Sequence, residues 1–255
     1  MIVVWGIGEV GGVFAHGFLR AGHAVEPLTR AMDPEERART LSAPELVVVA
    51  VGERDLAPVL DAVPDEWSDR LLLVQNELVP SDWEAYGILE PTVASVWFEK
   101  KRDKPLKVLM PTPIGGPRAG LAVRALGAVR IDAVEVPASE LAFELVKKNL
   151  YILTTNIAGL RVGGTTSQLW REHRQLARDV AQEVLEIQRA RVRAPVDGPA
   201  LFDALVDALL ADPDHGCTGR TAPARLARAL DVADRAGLRV PTLRAIATAA
   251  GITPG

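Results

Sequence analysis

Three glycines near the start of the chain have the spacing of a dinucleotide-binding loop. The apolar run Ile2–Trp5 leads directly into them, and a stretch of helical length follows. In such a loop Gly6 permits the tight turn, Gly8 lets a pyrophosphate approach the backbone, and Gly11 lets the helix pack close to the strand. The free N–H groups and the dipole at the start of that helix then bind phosphate. We therefore predict a nicotinamide or flavin nucleotide site in Gly6-Ile7-Gly8-Glu9-Val10-Gly11, with a ligand-free structural turn as the alternative.

A second pair of residues bears on which nucleotide is bound. An NAD site usually places a carboxylate at the end of the second strand, ~20 residues after the loop, to bind the ribose 2′-hydroxyl. This chain has Thr29 and Arg30 there, while the acidic Glu26 falls within the strand. A guanidinium matches a 2′-phosphate in charge and in fork geometry. The sequence therefore favours NADP(H), unless Arg30 merely begins a solvated loop.

Asn76 is a further candidate for the site. It follows an apolar run at residues 71–74, which places it at the carboxyl edge of the predicted sheet. Ligands of open α/β folds bind at that edge. Its amide could hold the nicotinamide ribose or the substrate, and the alternative is an asparagine that caps a loop.

The elements that would position these residues alternate in the first half of the chain. Short apolar runs with little polar alternation are typical of parallel strands buried on both faces, and they occur at residues 2–5, 24–28, 46–51 and 71–74. Helical stretches separate them, at residues 10–21, 34–41 and 56–63. This alternation predicts an α/β fold with a doubly wound, Rossmann-type sheet.

Strand signals become sparser beyond Asn76 and end near residue 136. We predict strands at 93–99, 107–111 and 128–136, and a Pro- and Gly-rich loop at 111–116. From Ser139 onward the spacing is helical, at residues 139–153, 167–193, 199–211 and 222–236, with Ser139 as a candidate cap. The prediction is therefore an NADP-binding Rossmann domain at residues 1–136 and an all-helical substrate and dimerisation domain at 137–255.

Composition excludes several other classes of protein. A net charge of −4 and a pI of about 5.7 provide no basic surface for nucleic acid or anionic lipid. The four histidines and the single Cys217 form no metal-binding motif, and one cysteine suits a reducing cytoplasm. No apolar stretch approaches the ~20 residues of a membrane span. We expect a cytoplasmic protein with a small-molecule partner, in which the apolar helices at 201–210 and 222–230 form either core or a homodimer seam.

Taken in order, these motifs resemble the ketopantoate reductase family, within the larger group of 6-phosphogluconate-dehydrogenase-like oxidoreductases. The resemblance is spread over most of the chain. It consists of the glycine stretch at 6–12, Gly22-His23, Arg30 as the family's NADP-binding arginine, Val74-Gln75-Asn76, the lysine- and asparagine-bearing stretch at 140–160, and the ending at 237–241.

The resemblance implies a reductase that converts the 2-oxo acid ketopantoate into a 2-hydroxy acid with NADPH, a step of pantothenate biosynthesis. As hydride reaches the carbonyl carbon, negative charge builds on the oxygen, which a cation or acid must stabilise and protonate. In the family a lysine does this; Lys148 is the best match here and Lys147 is the competitor. Asn156 matches the family's substrate-binding asparagine. Counting back from the C-terminal motif places the family's functional glutamate at Thr221.

Helical spacing supports an inward-facing lysine. Leu141, Leu145, Lys148 and Ile152 fall on one face of a helix. Lys148 could therefore point toward a cleft between the two domains, and the alternative is a solvated lysine.

The chain departs from the family at several positions. Glu77 replaces a glycine, Gly52-Glu53 replaces a lysine, and Ile152 replaces a second asparagine. Thr221 can form hydrogen bonds but carries no charge, which leaves the substrate open. His215 is either another acid or a loop histidine. The alternatives to a 2-oxo acid reductase are a catalytically weak NADP-binding regulatory protein and a reductase of another carbonyl or imine.

Overall fold

The computed structural model describes residues 1–192 and 195–253, and the chain divides into two compact units. The first unit is Met1–Glu144 and the second is Leu145–Gly255. The division falls within one long helix, whereas the boundary predicted after Val136 lies just before that helix. The described ranges contain no helix with the length and apolarity that a membrane crossing needs.

Seven of the strands described in the first unit form one sheet in the order β2-β1-β3-β4-β5-β8-β9. Neighbours from β2 to β5 are parallel, β8 is antiparallel to β5, and β9 is parallel to β8. A short antiparallel pair, β6 with β7, lies outside this sheet. The strands are β1 (Ile2–Trp5), β2 (Val25–Leu28), β3 (Leu46–Val49), β4 (Leu71–Leu73), β5 (Thr92–Ala94), β6 (Phe98–Glu99), β7 (Lys107–Val108), β8 (Thr112–Gly115) and β9 (Ala133–Glu135).

Helices connect and cover these strands. Every residue of β1, β3 and β4 is buried, as expected for central strands with both faces covered. The helices of this unit are α1 (Glu9–Arg20), α2 (Pro34–Thr40), α3 (Leu56–Asp61), α4 (Ser81–Glu84) and α5 (Ala119–Ala128). A 3-10 turn, Glu53–Asp55, precedes α3. The predicted fold class, a Rossmann-type sheet followed by a helical domain, is confirmed.

Two predictions for residues 111–136 differ from the structure. The stretch predicted as a loop contains β8. The last strand, predicted at 128–136, is shorter: Ala128 ends α5, a turn and two irregular residues follow, and only Ala133–Glu135 is extended. Gly116 allows two backbone segments to approach each other closely. It has φ +109°, and a Cβ on it would lie 2.6 Å from the Pro91 carbonyl oxygen. The two glycines inside α5 lower its helix propensity, which hides the helix in the sequence.

The second unit is helical. Its helices in the described residues are α6 (Ala138–Val162, which begins in the first unit), α7 (Thr166–Glu172), α8 (Arg174–Arg191), α9 (Gly198–Ala211), α10 (Ala222–Arg235) and α11 (Pro241–Ala250). Ser139 lies inside α6 and does not cap it. The helix predicted for 167–193 is interrupted at His173, and its last residue, Arg193, lies outside the described residues.

Helix α6 is the centre of this unit. All residues from Lys148 to Gly159 are buried, so the helix is covered on every side. Five polar residues lie in this stretch besides Tyr151. Burying a polar side chain costs free energy unless it is hydrogen-bonded, so their burial indicates that they are hydrogen-bonded or functional. They are Lys148, Asn149, Thr154, Thr155 and Asn156.

Glu183 on α8 fixes the start of α11. Its carboxylate oxygens accept hydrogen bonds from the backbone N–H groups of Thr242 (2.8 Å) and Leu243 (2.9 Å), which the helix itself leaves unbonded. We expect Glu183→Gln to lower the free energy of unfolding by about 1.5 kcal/mol, measured by urea denaturation. As a control, Glu186→Gln alters exposed contacts, an ion pair with Arg189 and a hydrogen bond accepted from Gln182, and should cost less than about 0.5 kcal/mol. Equal losses would contradict the capping role.

Candidate active site

The glycines of the first loop have different structural roles. Gly6 has φ +98°, and a Cβ there would lie 2.8 Å from the carbonyl oxygen of Ala50. A Cβ on Gly11 would lie 1.9 Å from the carbonyl oxygen of Gly6. Gly8 is exposed, and a Cβ on it would have no neighbour within 4 Å in the described part of the chain. The backbone therefore requires Gly6 and Gly11, whereas Gly8 borders open space.

The start of α1 offers backbone donors beside that open space. The first helical bond recorded there runs from the N–H of Gly12 to the carbonyl oxygen of Gly8 (2.8 Å). The amides of Glu9, Val10 and Gly11 occupy the positions that a helix N-terminus leaves unsatisfied. An open approach and outward-pointing amides are the features that a pyrophosphate requires. The loop Gly6–Gly11, including Ile7, therefore fits a dinucleotide.

Arg30 follows β2 and extends into solvent. Its Nη2 donates to Oδ2 of Asp55 in the turn after β3 (3.2 Å). The backbone N–H of Thr29 donates to Sδ of Met32 (3.5 Å). The one acidic residue of β2, Glu26, pairs with Arg37 of α2 (3.1 Å). The carboxylate that faces Arg30 thus comes from another loop, which sequence spacing did not indicate.

Asn76 follows β4 and shares the carboxyl edge of the sheet with the glycine loop, because β1, β3 and β4 are adjacent and parallel. Its Nδ2 donates to Oε1 of Glu53, which follows β3 (3.3 Å). The preceding Gln75 is buried, and its Nε2 donates to the carbonyl oxygens of Val49 (2.7 Å) and Val51 (3.3 Å). Gln75 therefore joins the ends of two strands and positions Asn76, a role that the sequence did not reveal.

Glu77 comes next and adopts φ +65°, a left-handed conformation that favours glycine. The resemblance placed a glycine at this position. The backbone here thus has the geometry that a glycine adopts easily. For Glu77 the same geometry carries a steric cost, because its Cβ approaches the backbone carbonyl oxygen.

In the helical unit, burial distinguishes the two adjacent lysines. Lys148 is 9% exposed, whereas Lys147 is only half-buried. The Nζ of Lys148 lies 5.9 Å from the centroid of the Tyr151 ring, within range of a cation–π contact. The Tyr151 ring is 6.4 Å from that of His215, whose Nδ1 lies 3.3 Å from Oδ2 of Asp212. One side of α6 thus carries a buried ammonium backed by aromatic rings.

Two turns further along α6, Asn156 contacts a residue that sequence reasoning missed. The Nη1 of Arg225 donates to Oδ1 of Asn156 (2.9 Å), and Arg225 is only 9% exposed. Thr221 is exposed at the start of α10, and its carbonyl oxygen accepts from the Arg225 backbone N–H (3.0 Å). The described contacts therefore bring Arg225, not the Thr221 side chain, to Asn156. The sequence did contain one signal for Arg225: it is the one charged residue on a face of α10 whose other buried residues are alanine and leucine.

The segment between α9 and α10 packs tightly on α6. A Cβ on Gly159 would lie 2.6 Å from the carbonyl oxygen of Cys217, so the two backbones meet directly. Gly216 forms a β-bridge with Thr165. Burial raises the pKa of the Cys217 thiol to about 11, so at neutral pH it is protonated and a poor nucleophile.

The overall fold of the chain is similar to that of several solved structures. No protein-family model and no curated protein matches the chain. A ketopantoate reductase from Ralstonia eutropha JMP134 superposes with a TM-score of 0.70 at 17% identity, covering 98% of this chain and 97% of that one. A dimeric ketopantoate reductase from Staphylococcus aureus gives 0.66 at 15% identity, covering 98% and 97%. A D-mandelate dehydrogenase in complex with NADH and anilino(oxo)acetate gives 0.67 at 9% identity, also covering 98% and 97%.

These similarities extend over nearly the whole length of each chain, and several further solved structures that match are also 2-dehydropantoate 2-reductases. At such low identity the similarity is one of architecture. The chain therefore has the fold of the ketopantoate reductases, a dehydrogenase-type α/β unit followed by a helical unit.

Proposed function

We propose that this protein is an NADPH-dependent reductase of a small 2-oxo acid, in the manner of 2-dehydropantoate 2-reductase. The observation that carries the proposal is the buried Lys148 on α6, in a chain with the ketopantoate reductase fold. Burying an ammonium is costly, and chemistry that uses its charge and proton is a physical reason to keep it there.

The first unit would hold the cofactor. The amides at the start of α1 would bind the pyrophosphate, with Gly8 leaving room for its approach. Arg30 would bind the 2′-phosphate and Asn76 the nicotinamide ribose or the substrate. The bound cofactor would supply the hydride. The D-mandelate dehydrogenase of similar fold, whose structure contains NADH and an oxo acid, supports a nicotinamide nucleotide in this role.

The helical unit would supply the acid and the groups that bind the substrate. Lys148 would stabilise the developing oxyanion and give it a proton. Asn156 would hold the substrate by its amide, and the guanidinium of Arg225 would bind the carboxylate of a 2-oxo acid with bidentate geometry. Arg225 thereby suggests an anionic substrate, even though Thr221 lacks the charge of the family's glutamate.

Assembly and location complete the proposal. The dimeric ketopantoate reductase of similar fold supports a homodimer. A single, buried cysteine suits a cytoplasmic protein, since it needs no oxidising compartment.

A screen of 2-oxo acids tests the proposal. We expect loss of NADPH absorbance with ketopantoate or with another small branched 2-oxo acid, and no loss with the corresponding amide, because Arg225 requires a carboxylate. Binding of NADPH without turnover of any 2-oxo acid, aldehyde or cyclic imine would instead support a regulatory NADP-binding protein. Turnover confined to imines would assign a different reductase activity.

A further inference from the structure

One carboxylate at the carboxyl edge of the sheet joins two arginines. The Nη2 of Arg30 lies 3.2 Å from Oδ2 of Asp55, and the Nε of Arg54 lies 3.7 Å from Oδ1 of the same residue. Both arginine side chains are largely exposed, at 88% and 85%. Two exposed cations thus share a single anion.

The sheet order places this group around the nucleotide loop. Arg30 follows β2, whereas Arg54 and Asp55 follow β3, and β1 lies between these two strands. The Arg30–Asp55 ion pair therefore connects the two loops that flank the carboxyl end of β1, from which the glycine loop begins. Arg30 is also the residue to which the proposed function assigns the 2′-phosphate.

The side chain of Asp55 is not used as a hydrogen-bonding helix cap. Asp55 precedes α3, yet among the described residues its side chain makes no capping hydrogen bond to that helix. Its recorded side-chain partners in the described chain are the two arginines. Its charge therefore acts on the guanidiniums.

We infer that Asp55 is a cofactor-selectivity residue, whose carboxylate competes with the 2′-phosphate of NADPH for Arg30 and thereby keeps NADH usable. This inference rests on the proposed function. A carboxylate and a phosphate present the same paired oxygens to a guanidinium, so one displaces the other. NADH carries a 2′-hydroxyl instead, which leaves the Arg30–Asp55 pair intact and can donate to a carboxylate.

The exposure of the Arg30–Asp55 ion pair limits how much Asp55 can change the cofactor preference. An exposed ion pair is weak and is screened by salt. We therefore expect Asp55 to change the preference between the two cofactors by about fivefold, a tuning effect that leaves both nucleotides able to bind.

Nucleotide binding tests the inference without any substrate. Dissociation constants for NADPH and NADH are measured by fluorescence titration at low ionic strength, for the wild type and for Asp55→Asn, which keeps the shape of the side chain. We expect Asp55→Asn to bind NADPH about fivefold more tightly and NADH no more tightly than the wild type. High salt should reduce the difference. Asp132→Asn removes the same charge from an exposed position before β9, at the opposite end of the sheet, and should leave the ratio unchanged.

A double-mutant cycle identifies Arg30 as the route of the effect. Arg30→Ala should weaken NADPH far more than NADH, and adding Asp55→Asn to it should no longer improve NADPH binding. An unchanged cofactor ratio in Asp55→Asn, or a gain that persists without Arg30, overturns the inference while leaving the proposed reductase intact. Failure of the wild type to bind either nucleotide overturns both.

Discussion

Replacement of Lys148 by alanine should abolish the substrate-dependent oxidation of NADPH while leaving the dissociation constant for NADPH within about twofold of the wild type. A positioned acid contributes about 10²–10⁴-fold to the rate of such a step. We therefore expect kcat to fall by about that factor. The cofactor residues lie in the other unit, Met1–Glu144, so their binding groups are not altered. Stopped-flow or steady-state absorbance gives kcat, and fluorescence titration gives the binding constant.

Two further variants show what the lysine contributes. Lys147→Ala removes the same group from the half-buried neighbouring position and should retain most of the turnover. Lys148→Arg keeps the positive charge, but arginine does not give up its proton, so it separates electrostatic stabilisation from proton donation. Wild-type turnover in Lys148→Ala, or a loss confined to Lys147→Ala, would show that the acid has been misassigned.

Replacement of Gly11 by alanine should disrupt the nucleotide loop. The added Cβ would lie 1.9 Å from the carbonyl oxygen of Gly6, a rigid backbone atom, so α1 or the loop must move. We expect the free energy of unfolding to fall by about 3 kcal/mol and NADPH binding to be lost. Urea denaturation and fluorescence titration measure the two effects.

The adjacent Gly12 is a matched control, since it lies in the same helix one residue away. A Cβ there has no neighbour within 4 Å in the described residues. Gly12→Ala should therefore retain nucleotide binding and stabilise the helix by up to about 1 kcal/mol. If the two variants were equally stable, the close approach of α1 to Gly6 could not be right.

The sequence predicted the elements around the glycine loop well because local rules govern them. Buried parallel strands form unbroken apolar runs, and the glycines have fixed positions after β1. The predicted strand at 2–5 coincides with β1, and the predicted helix at 10–21 differs from α1 by one residue at each end. At residues 112–115, by contrast, Pro and Gly composition indicated a loop, because β8 is held by tertiary pairing with β5 and β9.

The candidate site residues also divide into those that local sequence patterns indicate and those that depend on tertiary contacts. Thr29, Arg30 and Asn76 could be proposed from the sequence because they follow strands whose positions were clear. Asp55 and Arg225 were missed because their partners are distant in sequence, at Arg30 and Asn156, and no local pattern records such a pair. The roles of these residues in binding and catalysis remain predictions for the experiments above.

The buried Cys217 gives this protein an internal reporter of local opening. It is the one cysteine of the chain, and its thiol is fully covered where the segment between α9 and α10 rests on Gly159. A thiol-specific reagent can reach it only when that segment detaches from α6. The labelling rate in native buffer therefore measures the free energy of this local opening. Because His215 lies within this segment and Arg225 lies in the first turn of the helix that follows it, slower labelling on addition of a 2-oxo acid would register occupancy without any turnover.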